Sequence, residues 1–197
     1  MSAIAQKTPA LVTADEFLAS TKRLGPGKHQ LIDGVIVAMA PASPTHGVIQ
    51  ANLAYLVGNH LRVQKLNCRV MTEAGVKPRV RARTNVRIPD LLVSCGEVPV
   101  LGDQLVHEPT IIIEVLSPSN DDETESGIKS CASIPFVKEM LIVDSSRRFA
   151  EIWWRGVDGA WPADPEPVFG AGTVLLDSIG LDLSLDDIYA GTPLAAF

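Results

Sequence analysis

The sequence predicts a mixed α/β fold: one sheet with helices packed on its faces. Three observations carry that expectation. The apolar runs Thr110–Leu116 and Glu139–Asp144 have the length and β-branched content of buried strands. Ile49, Leu53, Leu56, Val57 and Leu61 recur at helical spacing along one face of a long segment that follows Ser43-Pro44. Helix, several strands, helix and strand then follow in an order that places helices against a sheet.

Each element has its own local reason. Residues 1–12 read as a flexible arm before a single domain over 13–197. Thr13 and Glu16 form a capping box that starts a helix running to about Arg23, and Gly25-Pro26-Gly27 ends it. Two apolar runs flank Asp33-Gly34 between Gln30 and Met39, the signature of a hairpin. Ser43 caps the longest helix with Pro44 at its first position. Strands are expected at about 67–75, 76–82, 88–95 and 110–117, and a helix from Ser119 to about Ser133, weakened by Gly127. Glu139–Asp144 turns at Ser145-Ser146-Arg147 into Phe149–Arg155, with Trp153 and Trp154 on opposite faces of an outer strand. Short strands and a last helical turn near Leu185–Tyr189 complete the chain.

Composition narrows the function classes. The 197 residues are 46% hydrophobic and carry a formal net charge of −6, which suits a folded protein and argues against nucleic-acid binding over the whole surface. No stretch reaches the roughly 20 apolar residues of a membrane span, so no membrane partner is expected. Cys68, Cys95 and Cys131 are odd in number and lack a CxxC spacing; they read as reduced core thiols of a cytoplasmic protein. Lys77, Arg79, Arg81, Arg83 and Arg87 are the only charges between 77 and 87. In extended chain, Arg79, Arg81 and Arg83 would project from one face as a stripe suited to phosphates. A solvated hairpin face is the plainer explanation.

The chemistry is concentrated in two acids. Glu114 lies inside Thr110-Ile111-Ile112-Ile113-Glu114-Val115-Leu116, where an unpaired carboxylate would cost several kcal/mol. It must be neutral, paired or bound to a cation. Asp90, after Pro89 and ahead of Leu91-Leu92-Val93, is its natural companion. Two acids at the ends of neighbouring strands make a hard-oxygen site for Mg2+ or Mn2+.

Gln30-Leu31-Ile32-Asp33-Gly34, Ser43-Pro44-Thr45-His46-Gly47, Pro89-Asp90-Leu91, Pro109 through Ser119, and Lys129 together resemble the Uma-type restriction endonucleases, a branch of the PD-(D/E)xK nuclease superfamily. The likeness runs in order from about residue 13 to about 155. It implies a restriction-endonuclease-like core and metal-dependent hydrolysis of nucleic-acid phosphodiesters, with DNA as the expected substrate and a homodimer left open. It further implies a site in which Asp90, Glu114 and the Val115 main-chain carbonyl hold Mg2+ or Mn2+, while Lys129 acts as the catalytic cation. Arg79, Arg81, Arg83 and His46 would meet the nucleic acid. The superfamily usually places lysine two residues after the acid; Leu116 stands there, and Lys129 on the following helix is the substitute. Gln30, Glu125 and Ser133 replace the family's customary Glu, Asp and Tyr.

Plainer roles compete for each residue. Asp90 could simply start a strand, Glu114 could be satisfied by a backbone or arginine partner, and Lys129 could pair with Glu125 one helical turn earlier. His46 could serve the start of its helix. Two other function classes therefore stand beside the nuclease: a nuclease fold that binds DNA or a protein without cleaving, and a hydrolase of another phosphoester.

Overall fold

A computed structural model describes residues 11–96, 98–117 and 121–195, without the side chains of 121–125. The expected arm falls largely outside these residues. Thr13 caps α1 (Ala14–Ser20) with both halves of the capping box formed, and a 3₁₀ turn, Thr21–Arg23, finishes it. β1 (His29–Ile32) and β2 (Val35–Ala38) pair as the Asp33-Gly34 hairpin, whose two turn residues both have positive φ, 50° and 83°. α2 (Pro44–Val63) begins as expected, with the Ser43 hydroxyl accepting from the His46 amide at 3.2 Å.

The central sheet is built from β3 (Cys68–Thr72), β5 (Leu91–Cys95), β7 (Pro109–Leu116), β8 (Glu139–Asp144), β9 (Phe149–Trp154) and β10 (Glu166–Phe169). Its order is β10-β9-β8-β7-β5-β3. Only β7 and β8 run parallel, as their connection through α3 (Asp121–Cys131) requires; the other neighbours are antiparallel. Two short strands, β4 (Gly75–Val76) and β6 (Leu105–Val106), pair beside it. β11 (Thr173–Leu176), β12 (Leu181–Ser184) and α4 (Leu185–Ile188) close the chain.

The period of two divides the core. Leu91, Val93, Ile111, Ile113, Leu141 and Val143 face α2, α4 and the β11–β12 hairpin, in one cluster with Ile49, Leu53 and Val57. Leu92, Ile112 and Met140 face the other way, toward Cys131, Ile134 and Val137 at the end of α3. Each such Leu or Ile, wholly withdrawn from water, contributes roughly 1.5–3 kcal/mol. Trp153 and Trp154 do lie on opposite faces, but β9 is not an outer strand, because β10 covers its edge.

Two expectations are corrected. The strand over 76–82 extends only through Val76; residues 79–84 form a turn in which Arg81 has φ 49°. Pro78 ends the β4 pairing, and the turn is held by long-range partners rather than by a neighbouring strand. Arg79, Arg81 and Arg83 are all exposed, yet they do not form a single-face stripe. The second correction concerns the thiols. Cys68 and Cys95 stand directly opposite in the β3–β5 register and form a disulfide; Cys131 alone is free, and buried. A separation of 27 residues gave no hint of that pairing. Disulfides persist mainly in oxidising compartments, so the cysteines no longer support a cytoplasmic location. Among the described residues, no helix is long and apolar enough to cross a membrane.

Candidate active site

Asp90 and Glu114 meet where the β5–β7 ladder opens. The last paired rung joins Leu91 to Ile113, so one further step sets Asp90 against Glu114. Side chains replace the rung there. The Asp90 amide donates to Glu114 Oε2 at 3.2 Å, and the Val115 amide donates to Asp90 Oδ2 at 2.8 Å. Asp90 is also pinned through its carbonyl, which accepts from Gln50 Nε2 at 3.0 Å and from the Glu73 amide at 3.1 Å. Its position is thus set by α2, β7 and the residue after β3 together.

These acids line a cleft of about 120 Å3 whose walls include Lys28, Gln30, His46, Arg87, Ser117 and Gly127. Glu114 is half-buried, with part of its side chain open to the cleft. Burial, and then the negative charge of Asp90, push its carboxyl well above the usual carboxylate range; the Asp90 amide and the Arg87 guanidinium pull the other way without cancelling this. A carboxyl in that position holds a proton or calls for a cation.

The remaining expected residues separate into those at the cleft and those away from it. His46 is only 7% exposed, and its ring is already engaged: Nε2 lies 3.0 Å from Asp90 Oδ1 and Nδ1 3.2 Å from Ser117 Oγ. It supports an acid rather than presenting a free imidazole to a phosphate. Lys129 is exposed on α3 and is not among the cleft residues, whereas Gly127 on the same helix is. One turn before Lys129, Ser126 accepts from Arg87 of the cleft wall. The candidate partner of Lys129, Glu125, has a side chain outside the described residues.

Arg81 pairs with Asp33, and the Arg83 carbonyl accepts from the Ala14 amide at 2.8 Å. Ser133 receives the Arg79 and Val80 amides at 2.9 and 3.1 Å on its hydroxyl, which itself donates to the Ser130 carbonyl at 2.6 Å. The arginine turn is therefore pinned to the end of α3.

Sequence reasoning missed Lys28 and Arg87 as the cations on the cleft wall. Lys28 pairs with Glu73, and the buried Arg87 donates from Nη2 to Ser126 Oγ at 3.1 Å. Arg87 carried a signal, being only three residues before Asp90; Lys28 carried none, because only the hairpin's docking brings it near. Gln30 also lies on the wall, so the family's customary acid would have faced this cleft.

The donors present are all hard oxygens: two carboxylates and the peptide carbonyls beside them, a set suited to a small divalent cation that keeps several waters. Among the described residues, no group of three or more His, Cys, Asp or Glu is spaced to hold a metal by itself.

The chain resembles known proteins over most of its length. An uncharacterized protein of Synechocystis is 30% identical over 165 residues, covering 83% of this chain and 84% of that protein. The crystal structure of a protein from Anabaena variabilis, titled as a putative nuclease belonging to DUF820, superposes with a TM-score of 0.70 at 19% identity, covering 91% of this chain and 98% of that one. It shares the fold. The model of the Uma2 family, described as "Putative restriction endonuclease", matches residues 14–186, and the chain belongs to that family.

Proposed function

We propose that the protein is a metal-dependent endonuclease that hydrolyses phosphodiester bonds, with DNA as its substrate. The carrying observation is the side-by-side placement of Asp90 and Glu114 at the open end of a ladder, where Glu114 cannot comfortably keep its charge. The family description supports a nuclease.

Asp90 and Glu114 would hold one Mg2+ or Mn2+ together with the main-chain carbonyl of Val115. In extended chain the N–H and C=O of one residue point to the same side, and the Val115 N–H already points at Asp90. When bound, such a cation polarises a phosphate oxygen and makes a water more acidic. The chain's own residues supply the rest. His46 holds Asp90 Oδ1 in place at 3.0 Å. Lys28 and Arg87 offset the charge of an incoming phosphate, and Gln30 offers a neutral amide where a third acid would repel it. Lys129, exposed on α3 one turn after the Ser126 that meets Arg87, is a further candidate cation.

Mn2+ titration calorimetry tests the ligand set. Wild type should bind, Asp90→Ala and Glu114→Ala should each abolish binding, and wild type should cleave DNA only with the cation. Undiminished binding by both variants would remove the assignment. The second reading, a module that binds nucleic acid without cleaving it, is favoured by Gln30 in the cleft. DNA binding with no cleavage in Mg2+ or Mn2+ would establish it.

A further inference from the structure

Away from the acid cleft, a second concavity of about 210 Å3 is lined by Lys77, Arg79, His107, Ala82, Val106 and Ile134. Among the described residues no acid lines it, in a chain whose net charge is −6. Lys77 has a loose partner in Asp15, whose Oδ1 lies 3.8 Å from Lys77 Nζ and which is almost wholly solvated. Such an exposed pair is screened and gives little.

The backbone presenting Lys77 and Arg79 is fixed from several sides. Ser133 accepts the Arg79 and Val80 amides, and Asn85 Nδ2 donates to the Val80 carbonyl at 3.3 Å and to Asp33 Oδ1 at 3.1 Å. The Ala14 amide holds the Arg83 carbonyl. The cationic residues therefore sit on an ordered turn, so little backbone entropy is lost when they bind.

The concavity is also tied to the acid cleft. Val76, next to Lys77, exchanges backbone hydrogen bonds with Arg87 at 2.8 and 3.0 Å, and Arg87 lines the cleft. Gly127 on the cleft wall and Ile134 in the second concavity belong to one helix and its terminal turn. At 1.5 Å per residue the helical part of that path, Gly127 to Cys131, spans roughly 6 Å, and Ile134 lies one turn beyond it.

We infer that the Lys77–Arg79–His107 concavity is a phosphate subsite that grips the polynucleotide backbone away from the bond at Asp90 and Glu114. The inference rests on the nuclease reading for its choice of ligand. Apolar walls beside the cationic rim suit a sugar or base edge next to the phosphate, which distinguishes a polynucleotide from a free inorganic anion. Arg81, already paired with Asp33, is not part of the subsite.

The test is fluorescence anisotropy of a labelled 20-nucleotide DNA across a salt series in EDTA. The proteins compared are wild type, the triple variant Lys77→Ala/Arg79→Ala/His107→Ala, and a control, Arg62→Ala/Lys65→Ala, which removes two positive charges beside a different concavity. The triple variant should bind about tenfold more weakly at low salt. Its slope of log affinity against log salt should be shallower by about 2, from two to three lost phosphate contacts. The control should keep the wild-type slope.

Wild-type affinity and slope in the triple variant would overturn the subsite while leaving the nuclease reading intact. An equal loss in the control would overturn it too, as general charge attraction. So would inorganic phosphate that displaces the oligonucleotide at an equal concentration, because the pocket would then be a free-phosphate site. If the triple variant loses binding while wild type cleaves nothing with Mg2+ or Mn2+, the subsite stands and the nuclease reading falls. Circular dichroism of the triple variant confirms that the fold is kept.

Discussion

His46 Nε2 faces Asp90 Oδ1 at 3.0 Å while Nδ1 faces Ser117 Oγ at 3.2 Å. An ionised carboxylate only accepts, so a neutral imidazole must carry its proton on Nε2 and accept the Ser117 hydroxyl at Nδ1. The first turn of α2 thereby orients an acid on a different element, and a rotated Asp90 would also lose the Val115 amide.

This relationship predicts that His46→Ala weakens Mn2+ binding about 10–100-fold, the usual cost of losing a group that orients a metal ligand. His46→Gln, which retains a donor, should recover part of it. Calorimetry on both variants measures the effect, and unchanged affinity in His46→Ala would show that Asp90 needs no support.

Cleavage assays separate the cations. Lys28 lies on the cleft wall and Lys129 does not. Lys28→Ala should therefore lower turnover about 10²–10³-fold, the usual scale for one lost electrostatic contact. Lys129→Ala should leave most turnover in place and change stability by less than about 0.5 kcal/mol. A large loss in Lys129→Ala would instead make Lys129 the catalytic cation.

Ser133→Ala removes the acceptor of two backbone amides at once. An unsatisfied buried donor costs about 1–3 kcal/mol. Part of that is recovered by water at this partly open site, so a loss of about 1–2 kcal/mol in denaturant melts is expected. Hydrogen exchange should quicken at the Arg79 and Val80 amides specifically. Unchanged exchange there would mean that the turn is held without Ser133.

Asp144 gives a pH signature. Burial alone would raise its carboxyl, but the hydroxyl and amide of Ser146 and the Arg147 guanidinium outweigh burial and hold it below its ordinary 3.8. An acid depressed in the folded state contributes stability that is present above its unfolded pKa and is lost as pH falls through the lower folded value. Asp144→Asn should cost about 1.5–3 kcal/mol at neutral pH, the scale of hydrogen bonds to a charged group. The gap from wild type should close on acidification below about pH 4. Denaturant melts at several pH values measure it, and a gap that stays constant into acid would refute the assignment.

Much of this protein was determined locally and so was legible in its sequence. The Thr13–Glu16 capping box, the Asp33-Gly34 turn and the Ser43-Pro44 start of α2 each arise from contacts within a few residues, and each stands where expected. The acid pair was legible because a carboxylate inside an apolar strand has so few tolerable explanations. Tertiary structure alone decided what depends on distant chain. Cys68 meets Cys95 only through strand register, and Ser133 stops residues 79–84 from continuing as a strand by accepting their amides from 53 and 54 positions away. Lys28 reaches the cleft only through hairpin docking. Periodicity tells which residues share a face, but the neighbour that face meets is set by packing among elements far apart in sequence.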